Sequence, residues 1–362
     1  MRLDRQYLSI KNDILRDIDE VLSSGQVLQS KHVAEIERKV SKLHSTKFGI
    51  GVNSGTDALK LSLRACGISA GHKVLTTPLS FIASSSAIIS VGASPVFADV
   101  SDDMHPDAQK YLEIMHTEKI DALLLVHLYG RLYDYSEVID EANRLSIPVI
   151  EDCAQAFGAN SGKRHIGQHV DVACLSFDPM KVMAAYGSAG MILTNSKHID
   201  SKVRKLRYHG RDETREFVEV GDNSQLSSIQ ASILLTKLKR HSVWTHKRIE
   251  IAKRYNEAIK DIGGMRPVEQ GNGNHVFHKY VMLVEETKRD ELVEYLKKNG
   301  IGSAIHYSTP LHKVSFIENK IGKITLPNVE KLCKMTLSLP IYAELTDLEV
   351  DHICGSLRRF AG

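Results

Sequence analysis

Short continuous apolar runs recur along the first two thirds of the chain: KFGIGV (47–52), KVLTTP (73–78), SPVFADV (94–100), DALLLVHL (121–128), IPVIED (147–152), VACLSF (172–177) and GMILT (190–194). Runs of this length predict strands, and their continuity predicts burial on both faces. Between several of them, as in TDALKLSLRACG and YSEVIDEANRLS, apolar residues fall three and four apart and predict amphipathic helices. Strand and helix in alternation describe a mainly parallel central sheet flanked by helices, an α/β fold. The opening MRLDRQYLSIKNDILRDIDEVL also has helical spacing, with acidic residues through it. Later the pattern changes. A long basic helical stretch over 229–260 predicts a bridge to a second unit, built from HKYVMLVE, the helical RDELVEYLKKNG and a closing helix from about Thr346. The expected organisation is a large domain over 1–245 and a smaller C-terminal α+β domain over 246–362.

Composition narrows the class. A chain of 362 residues suits one large domain with a smaller companion. Apolar residues at 42% and charged residues at 25% describe a folded globular protein rather than a disordered one. The net charge of +3 is small and the basic residues are dispersed, so no nucleic-acid partner is expected. No segment approaches the length of a bilayer-spanning helix, and the opening has no apolar leader core, which predicts a cytoplasmic protein without a membrane partner. The five cysteines (Cys66, Cys153, Cys174, Cys333, Cys354) are odd in number and form no C-x-x-C pair, as expected of reduced thiols. Among the seventeen histidines there is no H-E-x-x-H, and the His165/His169 pair encloses a glycine, so no metal site is expected.

In parallel sheets covered by helices, ligands sit beyond the carboxyl ends of the strands, where helix starts can hold anions. The first strand runs into NSGTDALKL, which places Ser54, Gly55 and Thr56 at a helix start. Those residues can cap the helix, or aim backbone N–H groups and the Thr56 hydroxyl at a phosphate. Neither G-x-x-x-x-G-K-[ST] nor G-x-G-x-x-G follows a strand, which disfavours a nucleoside triphosphatase or dinucleotide enzyme. The fifth strand ends on Asp152 with Gln155 beyond it, and the sixth on Ser176 with Lys181 in the following loop. A buried carboxylate at a strand end needs a cationic or donor partner. A phosphate cradle, a carboxylate for a ring nitrogen and a lysine amine are together what pyridoxal 5'-phosphate requires.

The elements SGT (54–56), HLYG (127–130), IEDCAQAFGA (150–159), SFDPMK (176–181), GDNSQLSSIQASILLTKL (221–238) and LSLPIYAELT (337–346) resemble, in order and spacing, those of the DegT/DnrJ/EryC1/StrS family of sugar aminotransferases. The resemblance spans nearly the whole chain. It implies a fold-type I pyridoxal-phosphate transferase in which Lys181 holds the cofactor and shuttles the proton at the amino-bearing carbon. Asp152 would pair with the ring nitrogen and Gln155 would reach or flank the ring hydroxyl. Ser54, Gly55, Thr56 and Ser176 would hold the phosphate, and Phe81 would stack on the ring. Asn223 would reach the phosphate of a neighbouring subunit, implying a homodimer with shared active sites. His209, His306 and Tyr307 would line the substrate pocket.

Met180, Val182 and Gln225 stand where the family commonly has threonine, asparagine and arginine, which bears on the substrate side. The dehydratase branch carries histidine at the lysine position, so Lys181 argues for transamination. The implied reaction moves an amino group from L-glutamate to a keto group, at C3 or C4, of a nucleotide-linked hexose, for surface polysaccharide or a glycosylated product. The alternatives are a sugar dehydratase or lyase of the same fold and a cofactor-binding regulator.

Overall fold

All seven apolar runs of the first two thirds become strands of one sheet. The computed structural model describes residues 2–162, 164–268 and 274–361. In chain order these form α1 (Leu3–Ser24), α2 (Lys31–Leu43), β1 (Phe48–Val52), α3 (Gly55–Ala65), β2 (Lys73–Thr76), α4 (Ala83–Ser90), β3 (Ser94–Phe97), α5 (Ala108–Thr117), β4 (Ala122–Val126), α6 (Ser136–Arg144), β5 (Val149–Asp152), β6 (Val172–Ser176) and β7 (Gly190–Thr194). There follow α7 (Lys197–Leu206), α8 (Ser228–Leu238), α9 (His241–Ile259), β8 (Met265–Pro267), β9 (Tyr280–Val284), α10 (Glu286–Lys298), α11 (Ser315–Ile321), α12 (Pro327–Met335), β10 (Thr336–Leu339) and α13 (Asp347–Ala361).

The large sheet has the order β1-β7-β6-β5-β4-β2-β3. Neighbours from β3 through β6 pair parallel, while β7 runs antiparallel to both β6 and β1. One reversed strand thus leaves β1, β5 and β6 with their carboxyl ends on the same edge. The period of two along each strand divides its side chains between two cores. Val172, Cys174 and Ile192 join the cluster that contains Leu59 and Leu63 of α3. Ala173, Leu175, Met191 and Leu193 join the opposite one, with Ile36 of α2 and Leu234 of α8. Helices on both faces explain why these strands read as unbroken apolar runs.

The stretch 229–260 is two helices, α8 and α9, rather than the single one its periodicity suggested. The break at Lys239–Arg240 follows a change of packing partner: α8 lies against α1 and α2, whereas α9 lies against α13. α9 leads into a three-stranded sheet, β10-β9-β8, paired antiparallel throughout. A separate core gathers there, from Ile251 and Tyr255 to Leu357.

The HLYG segment ties this second part to the large sheet. Tyr129 is buried and has φ +61°, and its backbone oxygen accepts from Lys279 N at 3.1 Å. Its hydroxyl donates to His306 O at 2.6 Å. Gly130, at φ +111°, accepts from Val276 N at 2.8 Å; a Cβ there would lie 2.6 Å from His278 N. Both the backbone conformation and the close approach therefore require glycine. Gly130→Ala is expected to cost about 2 kcal/mol or more of stability, read as a lowered urea midpoint by Trp244 fluorescence. Gly263→Ala, where an added Cβ meets nothing within 4 Å, is the matched control and should leave the midpoint in place.

Candidate active site

Three strand ends and one helix start converge at the carboxyl edge of the large sheet. A cavity of about 510 Å³ opens there, lined from both parts of the chain. That volume lies within the range of small-molecule sites, roughly 300–1,000 Å³. Ser54, Gly55 and Thr56 reach it from the start of α3, Asp152 and Gln155 from the end of β5, and Ser176 and Lys181 from the end of β6. Phe81 lies at its rim, half exposed, with Tyr307 at 6.4 Å between ring centroids. His306 and Tyr307 complete this side of the wall.

The start of α3 abuts the end of β6 closely. A Cβ on Gly55 would come 2.6 Å from Ser176 Cβ, so only glycine brings the helix N-terminus to that strand end. Ser54 caps the helix, its Oγ accepting from Asp57 N at 3.0 Å. The cap leaves its hydroxyl hydrogen to donate elsewhere.

Asp152 is buried, and its oxygens are oriented by donors. Ser84 Oγ donates to Oδ2 at 2.7 Å, and Ala154 N donates to Oδ1 at 3.1 Å. Ser80 and Ser84 hydroxyls are themselves 2.8 Å apart. Gln155 is fixed on both sides of its amide: Oε1 accepts from Tyr129 N at 2.9 Å, and Nε2 donates to Tyr307 Oη at 3.1 Å. Burial pushes the Tyr307 phenol up to about 12, so it stays protonated.

Lys181 sits in the turn after β6, where its N donates to Asp178 O at 2.9 Å. Burial lowers the pKa of its amine from the ordinary 10.5, against the opposing pull of Asp152 and Asp178. A lysine so placed is both nucleophilic and basic nearer neutral pH.

Behind the site lies a buried network. Glu151 accepts from His127 at 2.9 Å, from Gly167 N at 2.9 Å and from Arg164. Burial alone would raise this carboxyl, but His127 and Arg164 bring it down to about 2. Cys153 approaches the same pair closely enough for a metal cluster. Burial keeps its thiol protonated, however, and the glutamate oxygens already accept from His127, Arg164 and Gly167 N, which makes Glu151 the centre of an internal hydrogen-bond network. His165 and His169 are both exposed.

The DegT/DnrJ/EryC1/StrS aminotransferase family model matches residues 8–358. The chain belongs to this family. It is 34% identical over 362 residues to a pleiotropic regulatory protein of Geobacillus stearothermophilus, covering 99% of this chain and 97% of that one. A UDP-N-acetyl-3-dehydro-alpha-D-glucosamine 3-aminotransferase of Acidithiobacillus ferrooxidans is 32% identical, with 99% and 96% covered. Among solved structures, S. venezuelae DesV superposes with a TM-score of 0.95 at 30% identity, covering 99% of this chain and 97% of that one. NtdA of Bacillus subtilis, solved with bound cofactor PMP, gives 0.90 at 28%, covering 96% and 81%.

Two expected site residues of this aminotransferase lie outside its cavity. Asn223 and His209 are exposed and line no part of it; they sit together, His209 N donating to Asp222 O at 2.9 Å. Conversely, Ser80, Ser84, His278 and Lys279 escaped the sequence reading. The serines fall in LSFIASSS, directly around Phe81, and their density was the available signal. His278 and Lys279 open the run HKYVMLVE, which reads only as a strand.

The lowered Lys181 pKa has a testable sign. In the cofactor-free protein its amine should be neutral at a pH where an ordinary lysine is still charged. Competitive acetylation read by peptide mass spectrometry should give Lys181 a labelling midpoint below 10.5. Asp152→Asn removes the charge that holds the amine up and should lower that midpoint further.

Proposed function

We propose that the chain is a pyridoxal-phosphate-dependent nucleotide-sugar aminotransferase, which moves an amino group from L-glutamate to a keto group of a nucleotide-linked hexose. The observation that carries this reading is the meeting of Lys181, Asp152 and the α3 start at one cavity. The residues present suit the cofactor. The N–H groups at the start of α3, with the Thr56 and Ser176 hydroxyls, form a cradle for a dianionic phosphate, helped by the helix dipole. Asp152, held by Ser84 and Ala154 N, offers a fixed carboxylate to a protonated ring nitrogen. Gln155 has a second amide hydrogen for the ring hydroxyl, and Phe81 offers a flat apolar face. Bound there, the cofactor supplies the carbonyl that takes up the amino group and a ring that withdraws electrons from the reacting carbon.

The work of the chain is then proton handling. With the cofactor bound, Lys181 would hold it through its amine, and that amine, its pKa lowered by burial, would move the proton between the amino-bearing carbon and the cofactor. A positioned base of this kind contributes about 10²–10⁴-fold to a rate. Tyr307 and His306 border the substrate side of the cavity. Burial, with the charges of Lys279 and Lys181, lowers His306 to about 4, so this imidazole is neutral at working pH.

We also place the protein in a homodimer and in the cytoplasm. The dimer is supported by Asn223, which is exposed and lines no part of its own cavity, and which closely follows exposed Phe217, Val218 and Val220 in the chain, a patch suited to a second copy. Asn223 would then serve the partner's phosphate cradle. Among the described residues no helix is long and apolar enough to cross a membrane. A second reading, a cofactor-binding regulator with little turnover, is favoured by the name of the Geobacillus relative alone.

Formation of 2-oxoglutarate from L-glutamate, with nucleotide-linked 3-keto and 4-keto hexoses as acceptors, tests the proposal. Lys181→Ala should lower turnover at least about 10³-fold, and Asp152→Asn should also lower it. Turnover undiminished by Lys181→Ala would overturn the assignment, and wild-type protein that binds the cofactor but forms no product with either acceptor would favour the regulator.

A further inference from the structure

Lys279 is a second lysine in the cavity, and among the described residues it forms no ion pair. It stands just before β9 and lines the same wall as His278, His306 and Tyr307. Its backbone is pinned, N donating to Tyr129 O at 3.1 Å. The buried Arg248 guanidinium holds the preceding residues by donating to Phe277 O at 3.1 Å and to Ile341 O at 2.8 Å. Among the described residues no carboxylate comes within 4 Å of the Lys279 amine. The neighbours are mostly cationic or neutral: burial and the charges of Lys181 and Arg248 depress its pKa, and only Asp178 opposes them. A half-buried cation held in a cavity without a counter-ion is a site for an anionic ligand.

The position of Lys181 says which anion. Whatever reacts at Lys181 must bring its amino-bearing carbon beside that amine, and Lys279 lies close enough for the two charges to act on each other. An amino-acid donor carries a carboxylate one bond from its reacting carbon. A neutral keto hexose carries no charge there, and the diphosphate of its nucleotide is several bonds away. We propose that Lys279 binds the α-carboxylate of the amino donor, and so favours α-amino acids over amines in the first half of the reaction. The inference rests on the aminotransferase reading above.

The test follows the absorbance of the lysine-linked cofactor in the holoenzyme, mixed with L-glutamate in single turnover over a range of concentrations. Saturation separates the glutamate dissociation constant from the limiting rate. Lys279→Gln should raise that constant roughly tenfold to a hundredfold, the worth of a charged hydrogen bond. Lys279→Arg should restore it to within about tenfold, since the charge is retained. An unaltered resting spectrum in both variants shows that the cavity is intact. The converse half, the aminated cofactor form with a keto sugar, should change less than about twofold on Lys279→Gln. An unchanged glutamate constant in Lys279→Gln, or a defect confined to the keto-sugar half, overturns the proposal while leaving the aminotransferase reading in place. A wild-type resting band indifferent to L-glutamate overturns glutamate as donor, and the assignment of Lys279 with it.

Discussion

The cavity depends on one corner, Tyr129–Gly130. Tyr129 donates its N–H to Gln155 of the large sheet, accepts from Lys279 N through its carbonyl, and donates its hydroxyl to the carbonyl of His306. Three residues of the cavity wall, from three distant parts of the chain, therefore hang on one side chain and its peptide groups. Tyr129 itself is buried, and a buried group left without its partner costs more than a made bond contributes. Gly130 then lets the segment 276–278 come close enough to close the wall.

Around this corner the site divides its labour by origin. The large sheet supplies what would hold a cofactor: the helix start at Gly55, the strand-end carboxylate of Asp152 and the lysine after β6. The second part supplies the wall that would meet a substrate: His278, Lys279, His306 and Tyr307. The electrostatics follow the same division. Asp152 is held in place by hydrogen bonds from Ser84 and Ala154 N, while Lys279, acted on by Lys181 and Arg248 and opposed by Asp178, brings positive charge to the other wall. Both lysines carry depressed pKa values through burial, but only Lys181 sits beyond the strand end that carries Ser176.

Much of the architecture was legible because burial on two faces leaves an unmistakable mark. GMILT and VACLSF are apolar but for Thr194 and Ser176, and no other element suits such short runs. Direction left no such mark: nothing in GMILT distinguishes a parallel strand from the reversed β7. The break between α8 and α9 was invisible for a related reason, since the apolar spacing persists through Lys239 while the packing partner changes. In the site, Lys181, Asp152 and the α3 start could be found because each follows a strand end, where parallel sheets deliver chemistry. Lys279 precedes its strand, and a bond to the corner at Tyr129 holds its backbone at the cavity. Ser84 is helical and reaches Asp152 across the sheet edge, a relation no local pattern encodes. His209 carries a motif position but sits outside the cavity of its own chain, a placement no spacing could supply.

The central claim is that Lys181, and no other lysine, carries pyridoxal 5'-phosphate and yields it to L-glutamate. Reduction with borohydride after incubation with the cofactor, followed by peptide mass spectrometry, tests it most directly. The account predicts one phosphopyridoxyl group on the peptide that contains Lys181, and its loss when L-glutamate is added before the reductant. Label on Lys279 or on surface lysines in its place, or label on Lys181 that glutamate does not remove, would contradict it.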